Sequence, residues 1–237
     1  MHTRLFKNKL LNALDPLIIQ HLDLYPVTFE VGHQIEFPGE PIRNLVFVEV
    51  GMASMTTTFK NGSQVEVGMF GYESVIGISA LMGTKRSLNR VYTQIAGSGF
   101  MANIETARNE FNLGGQFHNL ALRYVQSQLL QSSQSTGCNA KHEVEERLAR
   151  WLLICSDRAN SDTFAMSHEF LADMLGSTRP TLTMAAKVLK NAGLIEYARG
   201  VISIRDTKGL EGKACECYHV IKDHLDNYAE FDTGLVA

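Results

Sequence analysis

The sequence predicts an α+β chain with a strand-rich N-terminal half, a long helix, and a C-terminal part carrying a winged helix-turn-helix. Three observations predict it. Glycines punctuate short β-branched runs between residues 26 and 103. An apolar seam of helical period runs through 105–135. The stretch "ADMLGSTRPTLTMAAKVLKNAGLI" breaks a helical pattern at Gly176 and resumes it within a few residues.

Composition bounds the reading. The chain has 237 residues, 45% apolar and 20% charged, an ordinary globular mix for one or two domains. No apolar run approaches the roughly 20 residues of a membrane span. The net charge is −3, so any contact with nucleic acid must rest on a local patch. The four cysteines, Cys138, Cys155, Cys215 and Cys217, are too few and too unevenly placed for a disulfide framework, and a reducing cytoplasm is expected.

The N-terminal "MHTRLFKNKLLNALDPLIIQHL" reads as one short amphipathic helix with Leu10, Leu14, Ile18 and Leu22 on one face. Polar residues interrupt its apolar stretch and no small-residue cleavage site follows, so no secretory leader is expected. The β half then offers the runs "LVFVEV", "MASMTTTF", "QVEVGMF" and "NRVYTQIAG". Within "TTTFKNGSQVEV" an Asn-Gly pair separates two strand-like runs, the strongest short-range hairpin signal. Turn signals about every ten residues predict an antiparallel barrel or sandwich.

Leu113, Phe117, Leu120 and Tyr124 repeat at spacings of four, three and four, the seam of a helix that packs on a partner. Leu122, Val125 and Leu129 form a second stripe. Gly114-Gly115 weakens this helix near its start. The polar "QSSQSTGCN" that follows reads as a hinge. "KHEVEERLARWLLICSDRA" is an amphipathic helix with Val144, Leu148, Trp151, Leu152 and Cys155 inward.

In "SHEFLADMLGSTRPTLTMAAKVLKNAGLI", Phe170, Leu171, Met174 and Leu175 make the inner face of a first helix. Gly176 sits where a left-handed residue ends it cheaply. Ser177 and Thr178 cap a restart, and Pro180 is tolerated in a first helical turn. Leu182, Ala185, Ala186 and Leu189 face inward. Arg179, Thr181, Thr183, Met184, Lys187 and Lys190 are left outside, and Gly193 ends the second helix. This is helix-turn-helix spacing, whose second helix fits a major groove. From 177 to 199 four basic residues stand against the single acid Glu196, a local balance of +3. "LIEYARGVISIRD" then reads as a wing whose tip, Arg199, reaches phosphate.

These residues resemble the bacterial cyclic-AMP receptor protein / FNR (CRP/FNR) family of transcription regulators across nearly the whole chain. "GEPIRNLVFVEVGMAS" is similar to the family's Gly-Glu, strand, Gly pattern, through Gly39, Glu40, Val46, Phe47 and Gly51. "GYESVIGISALMG" resembles its phosphate-cassette region, and the helix-turn-helix is the most specific match. The resemblance implies a cyclic-nucleotide-binding-type β-roll (a jelly roll) with the N-terminal helix over 1–104, a dimerisation helix and hinge over 105–137, and a winged helix-turn-helix over 138–237. It implies a cytoplasmic, homodimeric, sequence-specific regulator that is not an enzyme. A near-palindromic duplex and RNA polymerase are its implied partners. By the same resemblance Arg179 stands at a base-reading position, Thr178 and Thr181 at phosphate-contacting ones, and Ser167 caps the first helix near another phosphate. Pro180 and Met184 replace a glutamate and a second arginine common in the family, so a different half-site is expected.

The ligand region departs further. A cyclic-nucleotide site needs a glutamate for the ribose and an arginine followed by Ser or Thr for the phosphate. After Gly77 the chain has Ile78 and Ser79; Arg86-Ser87 falls early, and Asn89-Arg90 takes the better-aligned place. These seven residues are the effector-pocket candidates. No cofactor is identified, and an unknown small-molecule effector other than cyclic AMP is expected. An FNR-type iron–sulfur sensor needs N-terminal cysteines, and none precedes Cys138. A haem sensor would need an axial ligand such as His33 or His118, and satisfied surface histidines are the simpler reading of both. In "CECYH" two cysteines and His219 alternate, but no second pair completes four ligands, so packing cysteines and no metal are expected. Two other functions compete. One is a small-molecule sensor, for cyclic nucleotides or otherwise, whose helix-turn-helix makes a protein contact. The other is a cupin-like metalloenzyme, set aside because His33 is the lone histidine of the β half.

Overall fold

The computed structural model describes residues 6–229. The described chain forms two compact units. The first comprises residues up to 53, 70–130 and those from 223 on; the second comprises 54–69 and 131–222.

The first unit opens on helices α1 (Lys9–Asn12) and α2 (Pro16–His21). The single amphipathic helix expected here is broken in two. Pro16 lacks the N–H that would continue α1, and it starts α2 instead. The apolar face survives the break: Leu10, Leu14 and Leu22 are buried.

Strands β1 (Tyr25–Phe29), β2 (Gln34–Glu36), β3 (Asn44–Thr58), β4 (Gln64–Phe70), β5 (Val75–Ile76) and β6 (Arg90–Asn103) form one sheet. Its order is β1-β6-β3-β4, with β2 on β6 and β5 on β3. Antiparallel pairing of β1 with β6 runs from Tyr25↔Met101 to Phe29↔Gly97. Two of the strands, β3 and β6, are longer than the glycine spacing suggests. β3 runs on through Gly51, where the sequence reads as a turn. Glycine is needed there for closeness: a Cβ on Gly97 would lie 1.8 Å from the Val50 carbonyl oxygen, and one on Gly51 2.6 Å from that of Ile95. The expected hairpin is present between β3 and β4. Phe59 N–H donates to Ser63 O at 2.9 Å, and Gly62 takes a positive φ of 85°.

The seam 105–135 is two helices, α3 (Ile104–Asn112) and α4 (Gln116–Lys141). Gly114, at φ 71°, turns the chain between them. Phe117, Leu120 and Tyr124 join Leu45, Phe47, Leu22 and Tyr228 in the first unit's core. The stretch 131–139, expected as a hinge, continues α4 as helix. Tertiary anchors override its polar composition: the Gln131 side chain accepts from Met69 N–H at 2.8 Å, and Cys138 is buried.

The second unit holds α5 (Val144–Ala159), β7 (Thr163–Ala165), α6 (His168–Met174), α7 (Arg179–Asn191), β8 (Ile195–Ala198), β9 (Val201–Ile204), α8 (Thr207–Glu211) and the start of α9 (Cys217–Asn227). Glu146 accepts the Glu143 N–H at 3.0 Å and caps α5. Trp151, fully buried on α5, donates its indole N–H to Glu66 Oε1 at 2.9 Å, and Ser54 donates to the other oxygen of the same carboxyl.

Candidate nucleic-acid interface

The second unit's surface is built around α7. Ser167 caps α6 by accepting the Phe170 N–H at 3.1 Å. The helix ends at Leu175 and Gly176, where φ reaches 55°, and Ser177 N–H closes the turn on Ala172 O at 2.8 Å. Thr178 caps α7 by accepting the Thr181 N–H at 3.4 Å, with Pro180 in the first turn. Leu182, Ala185, Ala186 and Leu189 are buried, so the orientation of α7 is set by its apolar stripe.

That orientation leaves Arg179, Pro180, Thr181, Thr183, Met184 and Lys187 exposed together. The Arg179 guanidinium lies 3.5 Å from Glu169, both well exposed. The Thr183 hydroxyl donates to Arg179 O at 2.8 Å. His168 Nδ1 lies 3.1 Å from that hydroxyl, and the ring stacks on Tyr197 at 4.0 Å. Burial, and then the Arg179 charge, hold the His168 imidazole below its ordinary range, so the ring is neutral at pH 7. Lys190 is paired with Glu196. The wing is a two-residue hairpin. Arg199 and Gly200 both take positive φ, 50° and 78°, as a type I′ turn requires. Register pairs Ala198 with Val201, and β7 adds a third strand through Phe164↔Ile202. Arg199 stands exposed at the tip.

Other expected site residues fall differently. Of the dimer-seam residues, Phe117, Leu120 and Tyr124 are core, and Leu113 ends α3, exposed. The apolar residues left exposed on α4 are Leu122 and Leu129, at 44% and 68%, from the second stripe. In the first unit a cavity of about 180 Å³ is lined by Glu36, Glu40, Arg43, His33 and Ser87, among others. Of the seven effector candidates only Ser87 lines it. Ser87 donates to Glu36, whose carboxyl is raised by burial. Gly77 turns the chain at φ 92° into the 3-10 turn Ile78–Met82, which carries Ser79. Arg86 donates to Gly39 O at 2.6 Å, the Asn89 carbonyl accepts from Ser87, and Arg90 lies over the Tyr92 ring at 5.0 Å. His33 packs against Phe29, and His118 Nδ1 sits 3.0 Å from Phe111 O.

Residues 146–212, spanning α5 to α8, match the Crp-like helix-turn-helix domain. The chain is a CRP/FNR-type transcription regulator, to judge by this domain together with the relatives it matches. Two curated relatives, both called global nitrogen regulator, extend the match. That of Nostoc is 27% identical over 75% of this chain and 83% of its own length. That of Synechococcus elongatus is 26% identical over 84% and 93%. The fold is shared with solved structures. A CRP/FNR-family regulator from Eubacterium rectale superposes with a TM-score of 0.68 at 18% identity, over 86% of this chain and 96% of that one. FixK2 from Bradyrhizobium japonicum gives 0.68 at 17%, over 81% and 98%. The α+β fold with a C-terminal DNA-binding helix-turn-helix is that of the family. Among the described residues no helix is long and apolar enough to cross a membrane.

One group in this CRP/FNR chain escapes sequence reasoning. Cys215 and Cys217 are joined by Cys138 and His142. The partner pair lies far upstream as Cys-x-x-x-His, with Cys138 in the stretch that reads as a hinge and His142 at the start of the amphipathic helix that follows it. His219, the histidine adjacent in sequence, is exposed and packs edge-on against Tyr218. The missed signal was the second thiol–imidazole pair at one-turn spacing.

Proposed function

We propose that this CRP/FNR regulator reads a near-palindromic duplex as a cytoplasmic homodimer, makes contact with RNA polymerase, catalyses no reaction, and answers to an effector other than cyclic AMP. The observation that carries the reading is the face of α7. A buried stripe fixes the helix, and Arg179, Thr181, Met184 and Lys187 project from one exposed side. A guanidinium in the first turn of such a helix can span guanine O6 and N7. Met184 and the Thr181 methyl are suited to thymine methyl groups, so a guanine flanked by A·T pairs is the expected half-site core. On this reading Ser167 and Thr178, which cap α6 and α7, and Arg199 on the wing contact phosphate.

Leu122, Val125 and Leu129 on α4 are the stripe proposed to meet the second copy. A cyclic phosphate would meet Glu36 and Glu40 in the first unit's cavity, with Arg43 the only arginine of its lining. That charge balance favours a different ligand chemistry.

The test is fluorescence anisotropy on the upstream duplex and on a scrambled one at fixed salt, with and without cyclic AMP. Arg179→Ala is expected to weaken the specific site by about 1–3 kcal/mol and leave random DNA nearly unchanged. Equal loss on both duplexes would refute base reading by Arg179. Binding only with cyclic AMP would refute the effector reading. Failure to distinguish any duplex would favour a helix-turn-helix that contacts protein.

A further inference from the structure

We propose that Cys138, His142, Cys215 and Cys217 form a closed tetrahedral site for one thiophilic divalent cation of the zinc class. The set offers three Sγ atoms and one imidazole nitrogen, all within 4.8 Å of one another. Cys138 Sγ lies 3.5 Å from Cys215 Sγ, and Cys217 Sγ lies 3.6 Å from His142 Nδ1. A tetrahedron with metal–sulfur bonds of about 2.3 Å and metal–nitrogen bonds of about 2.0–2.1 Å has edges of about 3.5–3.8 Å. The donors therefore already stand close to the separations that one ion demands. A polynuclear iron–sulfur cluster would hold its thiolates apart by the breadth of the cluster.

The surroundings fit the same assignment. His142 Nε2 lies 3.3 Å from Glu216, so the carboxylate fixes the ring with Nδ1 toward the thiols. Such a carboxylate–imidazole–metal relay is a common second layer around zinc. Gln134 Nε2 donates to Cys217 Sγ at 3.1 Å. Three thiolates around a divalent ion carry a net charge of −1. The buried guanidiniums of Arg147 and Arg150 act on Cys138, and each has an Nε with no hydrogen-bond partner. Cys217 opens α9, whose helix N-terminus also favours a thiolate.

Local folding supplies the placement. His142 N–H donates to Cys138 O at 3.0 Å, which stacks the two ligands on one turn at the end of α4. The Cys-x-Cys pair enters from the opposite end of the second unit's sequence. Four protein ligands leave no open position, so the site is structural: it staples the end of α4 to the start of α9. Binding takes up one cation and releases three thiol protons, with no change of oxidation state.

The test uses the untagged full-length chain, purified reduced and incubated with Zn2+, and then with Co2+ as a spectroscopic substitute. About one Zn2+ per chain is expected, together with the intense thiolate charge-transfer and tetrahedral ligand-field bands of Co2+. Glu216→Gln, an exposed change, is expected to weaken Zn2+ binding by about 10- to 100-fold. Cys215→Ser should abolish the tetrahedral Co2+ spectrum, and Cys155→Ala, outside the cluster, should preserve it. Should Cys215→Ser fail to fold, the wild-type Co2+ spectrum and the Glu216→Gln affinity decide. The proposal is overturned by an octahedral Co2+ spectrum, by iron with inorganic sulfide in place of one ion, by a Cys138–Cys215 disulfide in the reduced preparation, or by Zn2+ affinity that Glu216→Gln leaves unchanged.

Discussion

Glu66 turns the packing of the second unit into a dependence on pH. Its carboxyl is fully enclosed by Trp151, Ser54, Arg150, Arg158 and Cys155. Burial raises its pKa to about 7 from 4.5, against the opposing pull of the Ser54 and Trp151 hydrogen bonds and the two arginines. The folded unit therefore keeps the proton up to about pH 7, while the unfolded chain loses it near 4.5. The folded state binds more protons across that window, so the contribution is fully present below 4.5 and disappears as pH rises through 7. A difference of about 2.5 pH units at about 1.4 kcal/mol each amounts to about 3 kcal/mol. The assay is urea unfolding followed by the fluorescence of Trp151, the only tryptophan in the chain. Glu66→Gln keeps an acceptor for the indole N–H and cannot titrate. The stability of wild type relative to Glu66→Gln should fall by about 3 kcal/mol between pH 4 and pH 8. A difference that stays flat, or that grows with pH, would refute the reasoning.

Two further outcomes follow from the exposed surfaces. Leu129→Glu should shift the chain from dimer to monomer in light scattering with little change in melting temperature, whereas Phe117→Ala should cost about 3–5 kcal/mol of stability because its ring is core. Retention of the dimer in Leu129→Glu would place the second copy elsewhere. Lys187 and Arg199 give about four phosphate contacts in a dimer, so log K against log salt should have a slope near −4; a slope beyond about −6 would mean that cations outside α7 and the wing reach the phosphates.

The helix-turn-helix was legible almost residue by residue because its signals are local. Capping by Ser167 and Thr178, the left-handed Gly176 and the inward stripe of α7 each concern residues within a turn or two. The strands were legible in kind but not in length. A glycine marks a turn or a close approach equally well, and only the pairing partner distinguishes them. Gly51 faces Gly97 across the sheet, so the chain runs straight where the sequence suggests a bend. Periodicity found the apolar stripes of α4 but could not say which of them meets the first unit. The regular 117-120-124 seam is the one its own core takes, and the sparser one remains outside. The cysteine cluster was invisible for a related reason: Cys138 and Cys215 meet across 77 positions, and His142 competes in sequence with the adjacent but exposed His219.

A chain of net charge −3 that binds DNA places its specificity in a few contacts rather than in bulk attraction. The Arg179–Glu169 pair shows how this works on the proposed reading. At 3.5 Å, with both side chains about two-thirds exposed, the pair is worth no more than about 1 kcal/mol. A bidentate contact with guanine is worth about 1–3 kcal/mol. Exchange of Glu169 for guanine therefore runs downhill at the right base. At a base that offers a single acceptor, the gain is about equal to what leaving Glu169 costs, and the released carboxylate stands near the phosphates besides. Glu169 thus acts against the wrong sequence more than against the right one. Lys190, held by Glu196 beside the wing, is restrained in the same way, whereas Lys187 of the α7 face has no ion pair among the described residues and can engage any sequence.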